Sequence, residues 1–205
     1  MTKPRLSQTL ILASASPRRA RLLTETGIAF RVVVSPAHEP ERKPVGIPVD
    51  LWPMCLAYMK AMAVRKHLQK AESKSPQPVI LAADTIVVDD TPPQRILNKA
   101  KDRAHARRML SSLDRKIHRV ITGIALVRGD RVRLASSQAA CRIKFPTKAA
   151  LETYLDSNLW RGKAGAYGIQ DDHDPFVTLL SGDFTTVVGL PMPLLQSELM
   201  TFLET

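Results

Sequence analysis

The chain has 205 residues, 44% of them hydrophobic and 24% charged, which is the composition of a folded domain and excludes a disordered or collagen-like chain. No segment approaches the roughly 18 consecutive apolar residues needed to cross a bilayer. Cys55 and Cys141 are far apart and neither belongs to a CxxC pair. The sequence therefore predicts neither a cysteine metal site nor a disulfide framework, and a reducing cytoplasm is the expected location.

Charge is the most unusual feature of the composition. Thirty lysine and arginine residues stand against 19 aspartate and glutamate residues, giving a formal net charge of +11, which predicts an anionic substrate or a polyanionic partner. Nine basic residues fall between Arg95 and Arg119, opposed by Asp102 and Asp114. A solvated basic helix face is the commoner meaning of such a cluster, and a nucleic-acid footprint is the alternative.

The first predicted elements are a strand over residues 10–13, a helix over residues 17–26 and an extended segment over residues 30–34. Ser16 suits the cap of the helix, Pro17 its first turn and Gly27 its end. A loop rich in proline and charge, residues 35–49, follows this strand–helix–strand unit.

The rest of the chain predicts four more helices, at residues 51–69, 101–113, 147–157 and 193–203. Strands are predicted at residues 79–88, 117–127 and 131–144, with a hairpin of residues 176–180 and 184–188 around residues 181–183. This order indicates one α/β domain, residues 1–205, with a mixed, largely antiparallel sheet. The GxxxxGK[ST] and GxGxxG fingerprints are absent from the sequence, which excludes the two commonest phosphate loops.

Two charged residues lie in unexpectedly apolar surroundings. Lys60 is the only charged residue in the segment 51–64, so its ammonium either reaches solvent or meets an anion in a cleft. Asp84 interrupts the apolar run 79–88, where a carboxylate binds a cation, titrates usefully or caps the end of a strand.

Two further segments have the composition of a phosphate site. Residues 13–19 (ASASPRR) combine the hydroxyls of Ser14 and Ser16, a helix start and the adjacent guanidinium groups of Arg18 and Arg19, which are groups that bind phosphate. Residues 162–170 contain three glycines, which permit close backbone approach to a ligand, with Lys163 and Gln170 as polar ends. A glycine-rich turn between strands is the alternative for this second segment.

Taken together, these blocks resemble the Maf family of nucleoside triphosphate pyrophosphatases along nearly the whole chain. The similarity lies in the order of the motifs, which are LASASPRR at residues 12–19, His38-Glu39, LAYMKA at 56–61, AADTIVV at 82–88, Lys99, HRVITGIAL at 118–126, KAGAYGIQ at 163–170 and GDFTTVVGLP at 182–191.

The resemblance implies hydrolysis of the α–β phosphoanhydride of a nucleoside triphosphate, which releases a monophosphate and pyrophosphate, in an elongated, inosine-triphosphatase-like domain with a cleft between two lobes. It implies that Asp84 is the general base, and that Asp84 and Glu39 bind a divalent cation: Mg²⁺, with Mn²⁺ or Co²⁺ as alternatives. The residues implied for the substrate are Ser14, Ser16, Arg18, Arg19, Lys60, Thr85, Lys99, Lys163 and Gln170.

The combination of SPRR and KAGAYGIQ is similar to the branch of the family that acts on dTTP and UTP, with Arg18, Thr85 and Gln170 as the implied discriminating positions. The amide of Gln170 can both donate to and accept from the imide edge of thymine or uracil. The chain departs from the family pattern at Asn98 and Ala100, which replace glycine and proline around Lys99, and at His38, which replaces an acidic residue.

The resemblance also implies a homodimer, a house-cleaning role against non-standard nucleotides and a connection with septum inhibition. The competing hypothesis is a basic nucleic-acid-binding or cell-division regulatory protein with an idle nucleotide pocket, which the net charge favours. Only ten aromatic residues occur in the chain, and none lies within the basic cluster, so stacking platforms for single-stranded nucleic acid are poor.

Overall fold

The computed structural model describes residues 10–40, 42–69, 77–169 and 176–204. Its strands are β1 (Leu10–Leu12), β2 (Phe30–Val32), β3 (Ile80–Asp89), β4 (Arg95–Leu97), β5 (Ile117–Arg128), β6 (Arg131–Ile143) and β7 (Val177–Ser181). Its helices are α1 (Pro17–Glu25), α2 (Trp52–Gln69), α3 (Arg103–Leu113), α4 (Lys148–Asp156), α5 (Phe184–Val188) and α6 (Met192–Glu204), and one 3₁₀ turn, Val49–Leu51, leads into α2. In this part of the chain no helix is both long and apolar enough to span a membrane.

The seven strands within these residues form one sheet in the order β2-β1-β3-β5-β6-β7, with β4 paired to β3. Strand β1 is parallel to both β2 and β3, whereas β4 is antiparallel to β3 and β7 is antiparallel to β6. Strands β5 and β6 are joined by the two-residue turn Gly129-Asp130, which makes them a hairpin. The predicted α/β class with a mixed, largely antiparallel sheet is confirmed.

The chain divides into two compact units. Unit one consists of Met1–Asp84, Thr122–Ser136 and Gly189–Thr205, and unit two of Thr85–Ile121 and Ser137–Val188. The boundaries fall inside β3, β5 and β6, so each of these strands contributes residues to both units.

Unit one has apolar cores on both faces of its strands. Because successive strand residues point to opposite faces, Leu10 and Leu12 pack with residues of α1 and α6, while Ile11 packs with residues of α2. Burial on both faces explains why the strand segments read as continuous apolar runs in the sequence.

The described residues of unit two contain one apolar core, which β3, β5, β6, α3 and α4 share. Its largest fully buried side chain is Trp160, whose indole Nε1 donates to the Leu155 carbonyl at 3.0 Å. Aromatic residues supply much of this core, since Phe145, Tyr154 and Phe176 have ring centroids 4.4–6.2 Å apart.

The predicted hairpin is wrong in its second half, because residues 184–188 form the helix α5. Their β-branched composition favours a strand, but the Asp183 carboxylate accepts hydrogen bonds from the backbone N–H groups of Thr185 (2.9 Å) and Thr186 (3.2 Å), as a helix cap does. Thr186 is also fully buried, with its hydroxyl 2.9 Å from that of Ser137. The first half of the prediction is confirmed as β7, which pairs with β6.

The basic cluster is partly neutralised by acidic residues of unit two. Arg103 and Arg107 of α3 pair with Glu152 of α4, and Arg103 also reaches Asp156 at 2.6 Å. Among the described residues, five of the nine basic side chains between Arg95 and Arg119 are in ion pairs. The predicted basic helix face therefore meets acidic residues of a neighbouring helix as well as solvent.

Candidate functional site

The turn from β1 into α1 gathers polar groups at the start of a helix. Ser16 is the N-cap, as predicted, with its hydroxyl accepting from the Arg19 N–H at 3.5 Å, and Pro17 is in the first turn. The buried Ser14 hydroxyl accepts from the Ser16 N–H at 3.2 Å and from Arg19 Nη1 at 3.1 Å. The two serines thus fix the backbone and one guanidinium group at the amino end of α1, where the helix dipole favours an anion.

The Arg19 guanidinium is held from two directions. Besides Ser14, it donates from Nε to the Gly189 carbonyl at 2.7 Å. Desolvation lowers its pKa from the ordinary value, the carboxylates of Asp84 and Glu39 act against that change, and the charge of Arg18 adds to it. Arg19 is therefore oriented within the electrostatic field of the two carboxylates predicted for the metal and for base catalysis.

Lys60 and Asp84 are brought together by the periodicities of a helix and a strand. On α2, Lys60 is three residues after Ala57 and four before Val64, which places it on the helix face that packs on the sheet. On β3, Asp84 is two residues after Ala82, which packs on the same helix. The Lys60 ammonium accordingly forms an ion pair with the Asp84 carboxylate.

Glu39 completes this group from the loop after β2. Its Oε1 lies 3.0 Å from Lys60 Nζ, so a single ammonium contacts two carboxylates. The side chains of Lys60 and Asp84 are 13% and 11% exposed, against 47% for Glu39. Of the alternatives open from the sequence, Lys60 meets anions rather than extending into solvent, and Asp84 is a mid-strand ion-pair partner rather than a strand-end cap.

Ser35 is a supporting residue that the sequence pattern did not single out. Its hydroxyl donates to the Lys60 carbonyl at 3.1 Å and accepts from the Ala37 N–H at 3.3 Å. It thereby ties the loop that carries Glu39 to the helix that carries Lys60. The Ser-Pro pair at residues 35 and 36 directly after a predicted strand is the signal from which such a turn could have been inferred.

Unit two holds the other predicted substrate residues that the structure describes. Thr85 follows Asp84 on β3 and is half-buried, Lys99 is exposed, and Lys163 is buried. The backbone at Lys99 is bridged to Ala164, so the two lysines lie on paired segments of chain. Gln170 lies outside the described residues.

Glu39 and Asp84 are the carboxylates of unit one that would hold a divalent cation. Glu39 and Asp84 converge on one positive charge, and carboxylate oxygens are the ligands that Mg²⁺ prefers, often one or two of them together with substrate phosphates. Among the described residues no group of three or more histidine, cysteine, aspartate or glutamate side chains could hold a metal. Glu39 and Asp84 would thus supply two ligands of such an ion, and the described residues offer no third carboxylate, histidine or cysteine beside them.

Comparison with known proteins gives consistent results. A family model described as Maf-like protein matches residues 9–202. A dTTP/UTP pyrophosphatase of Symbiobacterium thermophilum is 40% identical over 185 residues, which cover 90% of this chain and 89% of the relative. Proteins of the same name from Acetivibrio thermocellus (36% over 195 residues, 94% of each chain) and Pyrococcus abyssi (37% over 183 residues, 89% and 90%) are similar over comparable lengths.

Proposed function

The chain belongs to the Maf family, and from this premise we propose that it is a pyrophosphatase of dTTP and UTP. Water attacks the α-phosphorus, the bond from that phosphorus to the α–β bridging oxygen breaks, and the products are the nucleoside monophosphate and pyrophosphate. The observation that carries the proposal is the grouping, in unit one, of Lys60 with Asp84 and Glu39 and of Arg19 with Ser14.

Asp84 is the proposed general base. Lys60 contacts its Oδ1, so we assign Oδ2 as the oxygen that takes the proton of the attacking water. The Asp84 side chain is 11% exposed and its carboxylate is paired with Lys60, which restricts its orientation as a base requires if it is to reach a bound water.

The cationic residues are proposed to stabilise charge on the phosphates. Negative charge develops on the leaving pyrophosphate, and fixed donors at that position lower the barrier. In unit one Arg18, Arg19 and Lys60 supply positive charge, with the hydroxyls of Ser14 and Ser16 as neutral donors. In unit two Lys99 and Lys163 are proposed to bind phosphate oxygens.

A divalent cation is proposed to accompany the nucleotide, with Mg²⁺ as the first choice and Mn²⁺ or Co²⁺ as alternatives. Glu39 Oε1 and Asp84 Oδ1, the two oxygens that converge on the Lys60 ammonium, would hold it, which leaves Asp84 Oδ2 for the proton of the attacking water. When bound, such an ion neutralises part of the triphosphate charge. On the family resemblance alone, base selectivity is assigned to Arg18, Thr85 and Gln170. The same resemblance is the basis for proposing a homodimer, a cytoplasmic location, the removal of non-standard nucleotides and a connection with septum inhibition.

The test is pyrophosphate release from dTTP, UTP, CTP and 7-methyl-GTP in the presence of Mg²⁺, with inorganic phosphate measured in parallel. We expect turnover of the pyrimidine triphosphates and release of pyrophosphate rather than phosphate. Asp84→Asn removes the base at nearly constant shape and is expected to lower kcat by at least about a hundredfold, the lower end for a general base.

Asp130→Asn is the matched control. Asp130 is an exposed carboxylate of the same unit, paired with Arg65 at 2.8 Å, and its loss is expected to leave kcat unchanged. Equal activity of Asp84→Asn and wild type would overturn the role of Asp84. Wild-type protein that prefers 7-methyl-GTP would overturn the substrate assignment, and no pyrophosphate from any nucleotide would overturn the enzyme proposal.

The dependence on salt concentration distinguishes the nucleic-acid-binding alternative from nucleotide hydrolysis. Affinity built on phosphate contacts falls steeply with added salt, whereas hydrolysis of a free nucleotide depends on it far less. The ion pairs of Arg103 and Arg107 with Glu152 reduce the charge that unit two offers to a polyanion. We therefore expect weak, salt-sensitive binding of single-stranded DNA, measured by fluorescence anisotropy, beside salt-tolerant dTTP hydrolysis.

A further inference from the structure

The loop of residues 162–169, which carries Lys163, has an unfavourable backbone conformation. Gly162 and Gly165 have φ angles of 71° and 66°, and Ala166 has 64°. Left-handed φ angles are readily adopted by glycine but disfavoured for a residue with a Cβ. The surroundings of Ala166 must therefore hold this conformation in place.

Backbone contacts dock one side of the loop. The Gly165 N–H lies 3.0 Å from the Leu97 carbonyl and 3.2 Å from that of Asn98, just after β4. A Cβ on Gly165 would come within 3.0–3.1 Å of Val87 and 3.1 Å of the Tyr167 ring. A side chain at residue 165 would therefore be strained by the φ of 66° and would require the side chains of Val87 and Tyr167 to move by a few tenths of an ångström.

The other side of the loop rests on a buried pair of side chains. Tyr167 is 5% exposed and His118 of β5 is 1% exposed. The Tyr167 hydroxyl lies 2.6 Å from His118 Nε2, and the two rings pack edge to face with centroids 5.3 Å apart. Tyr154 adds a second hydroxyl, which donates to the Ala166 carbonyl at 3.3 Å.

This pair is neutral near pH 7. Burial lowers the pKa of His118 from 6.5 to about 4, opposed by the Lys116 backbone and the carboxylates of Asp89 and Asp90. Burial also raises the pKa of the Tyr167 hydroxyl well above its ordinary value, beside the thiol of Cys141. Between His118 and Tyr167 there is thus a hydrogen bond without a net charge.

The buried pair of His118 and Tyr167 stabilises the fold less than apolar side chains would. Among the described residues, no group meets His118 Nδ1 with good hydrogen-bond geometry although the atom is buried, and the Lys116 backbone gives the histidine only a poorly aligned contact. A buried polar atom without a well-formed hydrogen bond destabilises the folded state, and apolar residues of similar shape would avoid this. What the hydrogen bond adds is a fixed position for the Tyr167 ring, and hence for the loop that packs on it.

We propose that His118 and Tyr167 are positioning residues, which hold the loop of residues 162–169 in the shape that presents Lys163 to phosphate oxygens of the nucleotide. The inference rests on the proposed function for the role of Lys163. The anchoring of the loop itself is a property of the ligand-free protein, so the two can be tested separately.

The experiment compares Tyr167→Phe and His118→Leu with the double variant that carries both changes. Each single variant leaves one buried polar group without its partner, so we expect a lower Tm. The double variant removes both groups and is expected to recover most of the wild-type Tm. Its KM for dTTP is expected to stay at least about tenfold raised, with kcat less affected, because the tyrosine hydroxyl that fixes the loop is absent.

Amide hydrogen exchange at Gly165, measured without nucleotide, reports how firmly the loop is anchored and does not depend on enzymatic activity. Exchange is expected to be at least about tenfold faster in the double variant than in wild type, relative to amides of β5. Tyr58→Phe, which removes an exposed hydroxyl of α2 in unit one, is the control and is expected to change neither Tm nor KM.

The outcomes separate the two proposals. A double variant with wild-type exchange at Gly165 overturns the anchoring role, whether or not its Tm recovers. Faster exchange with an unchanged KM for dTTP overturns the presentation of Lys163 to phosphate. A wild-type protein that does not hydrolyse dTTP overturns the proposed function, and the exchange measurement then still decides whether His118 and Tyr167 anchor the loop.

Discussion

Gly123 on β5 allows α2 to approach the sheet, and Gly123→Ala is expected to displace that helix. A Cβ at residue 123 would lie 2.4 Å from the Met54 nitrogen and 2.5 Å from the Pro53 carbonyl carbon. Ordinary contact begins at 3.4 Å, so β5 and the first turn of α2 must separate by about 1 Å. Both atoms belong to the backbone, so no side-chain rotation can relieve the clash.

This shift is expected to change both the stability of the protein and its rate of catalysis. Overpacking of a close-packed core costs about 1–3 kcal/mol of unfolding free energy. Lys60 is on the same helix six residues after Met54, and a misplacement of about 1 Å in catalytic machinery can cost about a hundredfold in rate. We therefore expect Gly123→Ala to lower both the free energy of unfolding and the kcat for dTTP.

Urea unfolding and pyrophosphate release measure the two effects. Gly46→Ala is the control, since Gly46 has a φ of 87° but a Cβ there would have nothing within 4 Å, so the substitution introduces backbone strain without a clash. Its kcat is expected to match wild type. A Gly123→Ala protein as stable as wild type, or one that is less stable but equally active, would refute the reasoning.

Two further predictions concern unit two. The pKa of His118 is depressed from 6.5 to about 4, so below pH 6.5 the unfolded chain binds a proton that the folded protein does not. Stability is then lost as the pH falls, by about 2 kcal/mol between pH 7 and 5 at 1.36 kcal/mol per pH unit. In urea unfolding at both pH values, this loss should be absent from His118→Leu; an equal loss in both proteins would contradict it. Separately, Asp183→Ala removes the acceptor for the Thr185 and Thr186 N–H groups and should destabilise the protein by about 1 kcal/mol, whereas an unchanged Tm would show that α5 does not depend on this cap.

Local rules predicted the first unit well. Ser16 and Pro17 fixed the start of α1 because a cap and an N-terminal proline act within one turn, and Gly27 follows its end with a φ of 71°. The sequence predicted only part of the arrangement of Lys60 and Asp84. Their apolar surroundings marked each residue as unusual, but the ion pair between them depends on how α2 packs on β3, which no local pattern specifies.

The failures in the second unit have the same cause. Residues 184–188 have a strand-forming composition, and the helix there depends on the Asp183 side chain and on the burial of Thr186. The short β4 escaped prediction because Arg95–Leu97 has too few residues to show a period and is defined by its pairing with β3. Likewise, the acidic partners of α3 are about 45–53 residues away in sequence, beyond the reach of helical spacing rules.

The ion pairs of Lys60 also affect which anions unit one can retain. With Glu39 and Asp84 as internal counterions, the ammonium has no unmet charge in the absence of nucleotide, so any incoming anion must compete with two tethered carboxylates. A single free phosphate competes poorly in such an exchange, because it gains few contacts, whereas a triphosphate that engages several cations at once can displace the carboxylates. Under the proposed function, we therefore expect these internal counterions to disfavour the binding of small inorganic anions at Lys60 and to favour a polyphosphate ligand.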